Sequence, residues 1–380
     1  MKKYFLLTPG PTPIPPSVAQ KESLPILHHR TDEFGQIFLE VIEGLKFVFQ
    51  TKNDLFLITC SGTGAMESAV ANLLSPNDTA LVASCGVFGN RWEKICQAYG
   101  INVIKIEEEW GKSVQPEKVE QALKSNKDIK VVFTTHTETS TGVVNDLKTI
   151  GEIVSKTDAV LVVDAISGLA GQPLYTDDWK LDVVVSGSQK GLMCAPGLAF
   201  VSVSQKAWKL VESSTSPRFY FDYRKMKNSI PKKQTPFTPA VTIIVSLDES
   251  IKIIKETGLE NIFKKTEKLA KATRKAMKEG LGLELFADEK SACNVLTSAK
   301  VPENIDGKKI VKTLRQEYGI SIAGGQEKLE GKIIRLAHMG YIDQFDLFVA
   351  FTGLEIVLTQ LGLKIEPGKS VAIAERSLSQ

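Results

Sequence analysis

Between residues 54 and 203, short apolar runs alternate with stretches whose apolar positions fall at helical spacing. The runs at 54–59 (DLFLIT), 79–83 (TALVA), 102–106 (NVIKI), 130–135 (KVVFTT), 159–163 (AVLVV), 181–185 (LDVVV) and 198–203 (LAFVSV) predict strands. The stretch before the first of them predicts a helix over 31–49, and the intervening ones predict helices over 65–74, 90–99, 116–124 and 147–156. Short β-branched runs of this kind are buried on both faces, as in parallel sheets. Strands alternating with helices give an α/β fold. Only the turn 191–197 separates the last two strands, so the last one is expected to run antiparallel. The rhythm breaks over 208–239, where RKMKNSIPKKQTPFTP is basic and holds three prolines. A solvated surface loop is the plain reading, and an active-site or subunit-interface loop is the functional one.

Helical spacing resumes at 241 and runs to 278, interrupted near Gly258. Beyond 283, shorter strands at 294–297 and 333–336 alternate with helices at 306–317 and 343–361. The expected fold class is therefore α/β, with a large domain (18–257) built on a mainly parallel seven-stranded sheet flanked by helices. A smaller C-terminal α+β domain (258–380) follows it. Residues 1–17 carry Pro9, Pro11, Pro13, Pro15 and Pro16, and are expected to be extended and not helical.

Composition narrows the function classes. The chain has 380 residues, long for one core. Its 47 basic and 44 acidic residues leave a formal charge of +3, too even to point to nucleic acid or a membrane surface. The five cysteines (60, 85, 96, 194 and 293) make no CxxC, and the four histidines make no HExxH. A reduced protein without a metal site is expected. No apolar run approaches the length of a membrane span, and Pro9 cuts the N-terminal apolar stretch too short for a secretory signal. A cytoplasmic location is the expectation by elimination.

The chemistry gathers at strand ends. The run 159–163 leads into Asp164, and the run 181–185 leads through Ser186-Gly187-Ser188-Gln189 to Lys190. Ligands of open α/β sheets bind beyond the carboxyl ends of the strands. An amine able to form a Schiff base, with a carboxylate able to pair a pyridinium nitrogen, is what a protein supplies to pyridoxal phosphate. Taken singly, Lys190 reads as a surface lysine and Asp164 as a helix cap. Small residues on both sides of Lys190 leave room for a flat cofactor. Ser61-Gly62-Thr63-Gly64-Ala65 joins a strand to a helix and offers backbone N–H groups to an anion. It is no dinucleotide fingerprint, since Glu67 or Ser68 stands where a third glycine belongs, and it lacks the lysine of a P-loop. The hydroxyls of His136-Thr137-Glu138-Thr139-Ser140-Thr141-Gly142 satisfy loop backbone or donate to a cofactor. Phe88, between glycines at a strand end, is a core residue or a ring that stacks on a flat ligand. Arg335, inside an apolar strand, has an internal salt bridge or grips a substrate carboxylate.

Together these motifs resemble the class V aminotransferases of fold type I, in the alanine/serine–glyoxylate and serine–pyruvate branch. The matching landmarks are TPGPT (8–12), HHR (28–30), SGTGAME (61–67), HTETSTGV (136–143), VDAISGLAG (163–171), SGSQKGL (186–192), TPFTPAV (235–241) and IRLAHMG (334–340). The resemblance implies pyridoxal 5'-phosphate as cofactor, in the large domain. It makes Lys190 the Schiff-base lysine and proton shuttle, and Asp164 the partner of the pyridine nitrogen. Thr139 would bond the ring hydroxyl side, and Phe88 would stack on the ring. Thr63, Gly64, Ala65 and Gln189 would hold the phosphate. Thr235 and Thr238 would reach the cofactor of the partner subunit in a homodimer. Arg335 would bind the substrate α-carboxylate, and backbone near Gly10 would close the pocket. Better-known eukaryotic members have tryptophan at Phe88, histidine at Ala65 and tyrosine at Thr235, so donor preference does not carry over. Some sequences of this type are named as a soluble hydrogenase small subunit, but the cysteines lack an iron–sulfur pattern.

The expected activity is a ping-pong transamination from alanine or serine to glyoxylate or pyruvate, with aspartate as the alternative donor. A cysteine desulfurase or lyase would need a mobile nucleophilic cysteine, and only Cys293 lies in the small domain. A nicotinamide oxidoreductase lacks its third glycine. A non-catalytic binding protein leaves Lys190, Asp164 and Arg335 unexplained together.

Overall fold

The computed structural model describes residues 2–379. The strands are β1 (Phe5–Leu6), β2 (Asp54–Thr59), β3 (Thr79–Ser84), β4 (Asn102–Glu107), β5 (Ile129–Thr135), β6 (Thr137–Glu138), β7 (Val143–Val144), β8 (Val160–Asp164), β9 (Val183–Gly187), β10 (Leu198–Val203), β11 (Leu296–Lys300), β12 (Ile320–Ser321), β13 (Ala323–Gly324) and β14 (Ile333–Ala337). The helices are α1 (Pro16–Glu22), α2 (Asp32–Phe49), α3 (Gly62–Leu73), α4 (Val87–Ala98), α5 (Pro116–Ser125), α6 (Leu147–Val154), α7 (Gln205–Ser213), α8 (Tyr223–Ser229), α9 (Val241–Thr257), α10 (Leu259–Lys275), α11 (Gly307–Tyr318), α12 (Gln344–Gln360) and α13 (Lys369–Ser379).

Seven strands form the central sheet in the order β2-β10-β9-β8-β5-β3-β4. All pairs are parallel except those of β10, which is antiparallel to both β2 and β9. The short turn before β10 allows no crossover helix, and parallel pairing needs one. Strand residues alternate between two cores. In β8, Val160 and Val162 pack with α3, α4, α7 and α8, while Leu161 and Val163 pack with α2, α5, α6 and α9. Both faces are thus covered, which is why the strands read as continuous apolar runs.

A third core joins α10–α13 to the sheet β11-β14-β13, through residues such as Leu314, Leu336, Phe351 and Leu354. Leu7 is part of that core, and β1 pairs in parallel with β12. The N-terminal chain then leaves this sheet and crosses to the Lys190 loop, where Thr12 N donates to Gln189 O at 3.1 Å.

Three expectations need correction. The proline-rich start does not stay non-helical to its end, because α1 opens at Pro16. A proline at the first helical position loses no hydrogen bond there, and its fixed φ suits the helix. The 208–239 stretch is not all loop. Most of α7 and all of α8 fall within it, and Asp222 caps α8 by accepting from Arg224 N at 3.0 Å. Helix α4 starts at Val87 rather than at 90, which places Phe88 in its first turn.

Candidate active site

Strands β8 and β9 are neighbours, and Asp164 pairs with Val185 in their register. Their carboxyl ends therefore deliver Asp164 and the Lys190 loop to one place. Ser188 Oγ donates to Ala195 O at 2.6 Å, and Met193 N donates to Lys190 O at 2.9 Å. The N-terminal chain closes the other side. Thr12 Oγ1 donates to Lys190 O at 2.9 Å, and Lys190 Nζ donates to Pro9 O. Gly10 has φ +130, and a Cβ there would overlap Cδ, Cε and Nζ of Lys190. Only glycine lets the backbone pass this close in that conformation.

A cavity of about 230 Å³ opens at this junction. Of the residues singled out from sequence, Gly10, Thr63, Phe88, Thr139, Asp164, Gln189 and Lys190 line it. Gly64 and Ala65 stand behind it, their amides directed to Ser61 O at 2.8 and 3.4 Å. Arg335 is 5% exposed and does not line the cavity. Its Nε donates to Gly324 O at 2.9 Å, and its Nη1 donates to Thr139 O at 2.7 Å. No carboxylate pairs with it among the described residues, so the internal salt bridge is not there. Thr235 and Thr238 line a separate small cavity with Tyr220 and Phe237, beside β2. A larger open groove of about 940 Å³ lies on another face, near Glu43, Asp177 and Glu260, and none of these candidates lines it.

The cavity also holds residues that the sequence reading passed over. Ser167 and Arg91 both line it. Ser167 Oγ accepts from Thr139 Oγ1 at 2.6 Å. Arg91 Nη1 donates to Thr63 Oγ1 at 2.9 Å, and its guanidinium lies 4.8 Å from the centre of the Phe88 ring. Arg91 is three positions beyond Phe88, so helical spacing would have paired them had the helix been started at Val87.

Glu138 is the concealed member of the group. It is fully buried and accepts from Phe88 N (3.1 Å), Gly89 N (2.9 Å), Ser140 N (3.2 Å) and Ser140 Oγ (2.5 Å). It thereby caps α4, whose own N-cap, Gly86, has no side chain to do so. Negative charge at a helix N-terminus is favourable.

Burial sets the proton affinities. Burial pushes the Asp164 carboxyl up to about 7, against the opposing pull of Ile166 N–H and of Arg91 and Lys190, with Glu138 adding to the rise. Burial pushes the Lys190 ammonium down to about 8; Asp164 resists this, while Arg335 and Arg91 add to it. Burial pushes Arg335 down to about 10, and Glu138 opposes that. An amine brought toward neutral pH is a competent nucleophile.

The residues fit pyridoxal phosphate. An amine and an acid border a cavity walled by an aromatic ring, and the N-terminus of α3 opens on it at Ser61, Gly62 and Thr63. The first amides of a helix have no intrahelical partner. Gln189 stands in the same lining, and its side-chain NH2 is a group able to donate to a phosphate. Among the described residues, no group of three His, Cys, Asp or Glu side chains gathers closely enough to hold a metal ion.

Comparison with known proteins bears on this geometry. A family model described as Aminotransferase class-V matches residues 4–339. A Synechococcus sp. (strain PCC 6716) protein named soluble hydrogenase, small subunit, is 41% identical over 99% of this chain and 99% of its own length. The L-aspartate–glyoxylate aminotransferase of Paracoccus denitrificans is 35% identical over 99% of this chain and 96% of its own. The crystal structure of the ureidoglycine-glyoxylate aminotransferase of Bacillus subtilis superposes with a TM-score of 0.96 at 30% identity. It covers 100% of this chain and 99% of that one.

Proposed function

This chain belongs to the class V aminotransferases, and we propose that within the family it moves the amino group of alanine or serine to glyoxylate or pyruvate. It is a transaminase, and its cofactor is pyridoxal 5'-phosphate. One observation carries the reading of the site: Lys190 and Asp164 close on a single cavity, with Arg335 buried behind it and paired with no acid among the described residues. When bound, the cofactor supplies an aldehyde for amine capture and a ring that delocalises the electrons left when the α-proton departs.

The chain's own residues do the rest. Lys190 Nζ would be the attachment point and, once free, would take the proton from the substrate α-carbon and deliver it to the cofactor's former aldehyde carbon. Pro9 O gives that amine a resting acceptor beside the reacting atoms. Asp164 would pair with the ring nitrogen and Phe88 would stack on the ring. Gln189 and the first amides of α3 would hold the phosphate. Arg335 has donors left beyond its two carbonyl bonds, and it grips the substrate α-carboxylate.

Two of the relatives named above, the Paracoccus and Bacillus proteins, share glyoxylate in their names but differ in amino donor, which supports the acceptor more than the donor. Aspartate is the second reading, favoured by the Paracoccus relative. Desulfuration is disfavoured by Cys293, which is buried with its thiol directed to Leu296 O at 3.4 Å. All five cysteines are free, in keeping with a cytoplasmic site.

The same reading makes the protein a homodimer. Phe219 is 71% exposed and its ring sits 5.6 Å from that of Phe237, between Thr235 and Thr238. An aromatic surface there suits a subunit interface that brings the two threonines to the partner's cofactor. A half-reaction screen settles the donor: each amino acid is added alone and loss of the cofactor's visible absorbance is followed. Alanine and serine should react fastest. A screen in which aspartate alone reacts would reverse the assignment, and sulfide from L-cysteine would replace it with desulfuration.

A further inference from the structure

The phosphate end of the site is short of positive charge in the roles given so far. A phosphate monoester carries close to two negative charges at neutral pH. The amides of α3, Thr63 and Gln189 are all neutral donors. Lys190 is consumed by attachment to the cofactor. The remaining cation lining the cavity among the described residues is Arg91.

Its surroundings leave it free to act. Nη1 donates to Thr63 Oγ1 at 2.9 Å. No protein acceptor meets Nε or Nη2 among the described residues, and no carboxylate pairs with the group. Because Thr63 Oγ1 accepts from Arg91, the threonine's own hydroxyl proton is left to donate elsewhere. Both Arg91 and Thr63 border the open N-terminus of α3. Phe88 beneath the guanidinium, at 4.8 Å, fixes its plane.

Resting on the aminotransferase reading above, we infer that Arg91 is the charge partner of the cofactor phosphate. Its fork holds a phosphate oxygen and turns the Thr63 hydroxyl toward the same group. Binding affinity tests this without recourse to turnover. The full-length chain, freed of cofactor, is titrated with pyridoxal phosphate and with pyridoxal, which lacks the phosphate. Wild type is compared with Arg91→Met and Arg91→Lys, and near-UV circular dichroism checks the fold.

Arg91→Met should weaken pyridoxal phosphate by roughly 10- to 100-fold and leave pyridoxal within about twofold. Arg91→Lys should lose less, because a cation remains without the fork. Inorganic phosphate should compete with pyridoxal phosphate in wild type and compete less well in either variant. An equal fall for both ligands would overturn the inference, since Arg91 would then act only by supporting Phe88. Unchanged pyridoxal phosphate affinity would overturn it as well. If Arg91→Met does not fold, Arg91→Lys and the phosphate competition decide the question. Wild type that bound neither vitamer would overturn the cofactor reading along with the inference.

Discussion

Replacing Arg335 by glutamine separates recognition of the substrate carboxylate from everything else the site does. Arg335 is 5% exposed, and two backbone carbonyls, Gly324 O at 2.9 Å and Thr139 O at 2.7 Å, are the protein acceptors of its guanidinium among the described residues. Burial pushes it from 12.5 to about 10, which corresponds to about 3 kcal/mol against the charged form. A substrate carboxylate offsets that cost, with each charge-assisted hydrogen bond contributing about 1.5–3 kcal/mol. Losing two such bonds lowers kcat/KM for alanine by about 100- to 10,000-fold. The fold should change little, by about 1–2 kcal/mol. Loss of the two carbonyl bonds destabilises, while removing a buried unpaired cation stabilises. The assay measures the half-reaction rate with alanine and with ethylamine, which has no carboxylate, and the bound cofactor from its absorbance. Wild type should prefer alanine by the factor given, and Arg335→Gln should bring the two amines level without losing cofactor. Equal losses for both amines, or a colourless variant, would show that Arg335 serves the fold and refute the reasoning.

Lys190 captures the cofactor aldehyde as the free base. The capture rate should therefore rise with pH and flatten above about 8, where burial has placed the amine; stopped-flow absorbance that keeps rising to 10.5 would contradict this. Gly10→Ala puts a methyl group onto Lys190 at φ +130. It should cost about 1–3 kcal/mol and slow borohydride fixation of the cofactor at least about tenfold by the crowding argument. Gly282→Ala, at φ +68 with nothing within 4 Å, is the control for backbone strain alone, and equal behaviour of the two would argue against a role for the Gly10 contact. Glu138→Gln keeps the shape but turns an NH2 toward either the amides of Phe88 and Gly89 or that of Ser140. Urea unfolding should reveal a loss of about 1–3 kcal/mol, and an unchanged midpoint would mean that the α4 cap matters little.

Much of the architecture was legible because buried parallel strands must be apolar on both faces, and β8 and β9 announce themselves as such. The direction of β10 was legible too, since a turn of a few residues cannot hold a crossover helix. The start of α4 was not legible, for a specific reason. A helix N-terminus is read from a capping side chain close by in sequence, and here Gly86 has none. The cap is Glu138, about fifty residues later. Placing the helix start three residues late hid the pairing of Phe88 with Arg91, and with it a cation of the cavity. Arg335 was flagged by its odd position in an apolar strand, but sequence could not say that carbonyls rather than an acid would hold it.

What the amino-acid sequence determined alone is the kind of chemistry available: an amine and an acid, each at the end of a strand that could only be buried. Strand ends in a parallel sheet all point one way, so such groups must arrive on a common edge. Which of them meet was decided by tertiary structure. The order of the strands made β8 and β9 neighbours, and the N-terminal chain crossed from the small sheet to set Pro9 and Gly10 against Lys190. Those contacts join residues about 180 positions apart, and no local pattern of hydrophobic and polar positions encodes a distance of that kind.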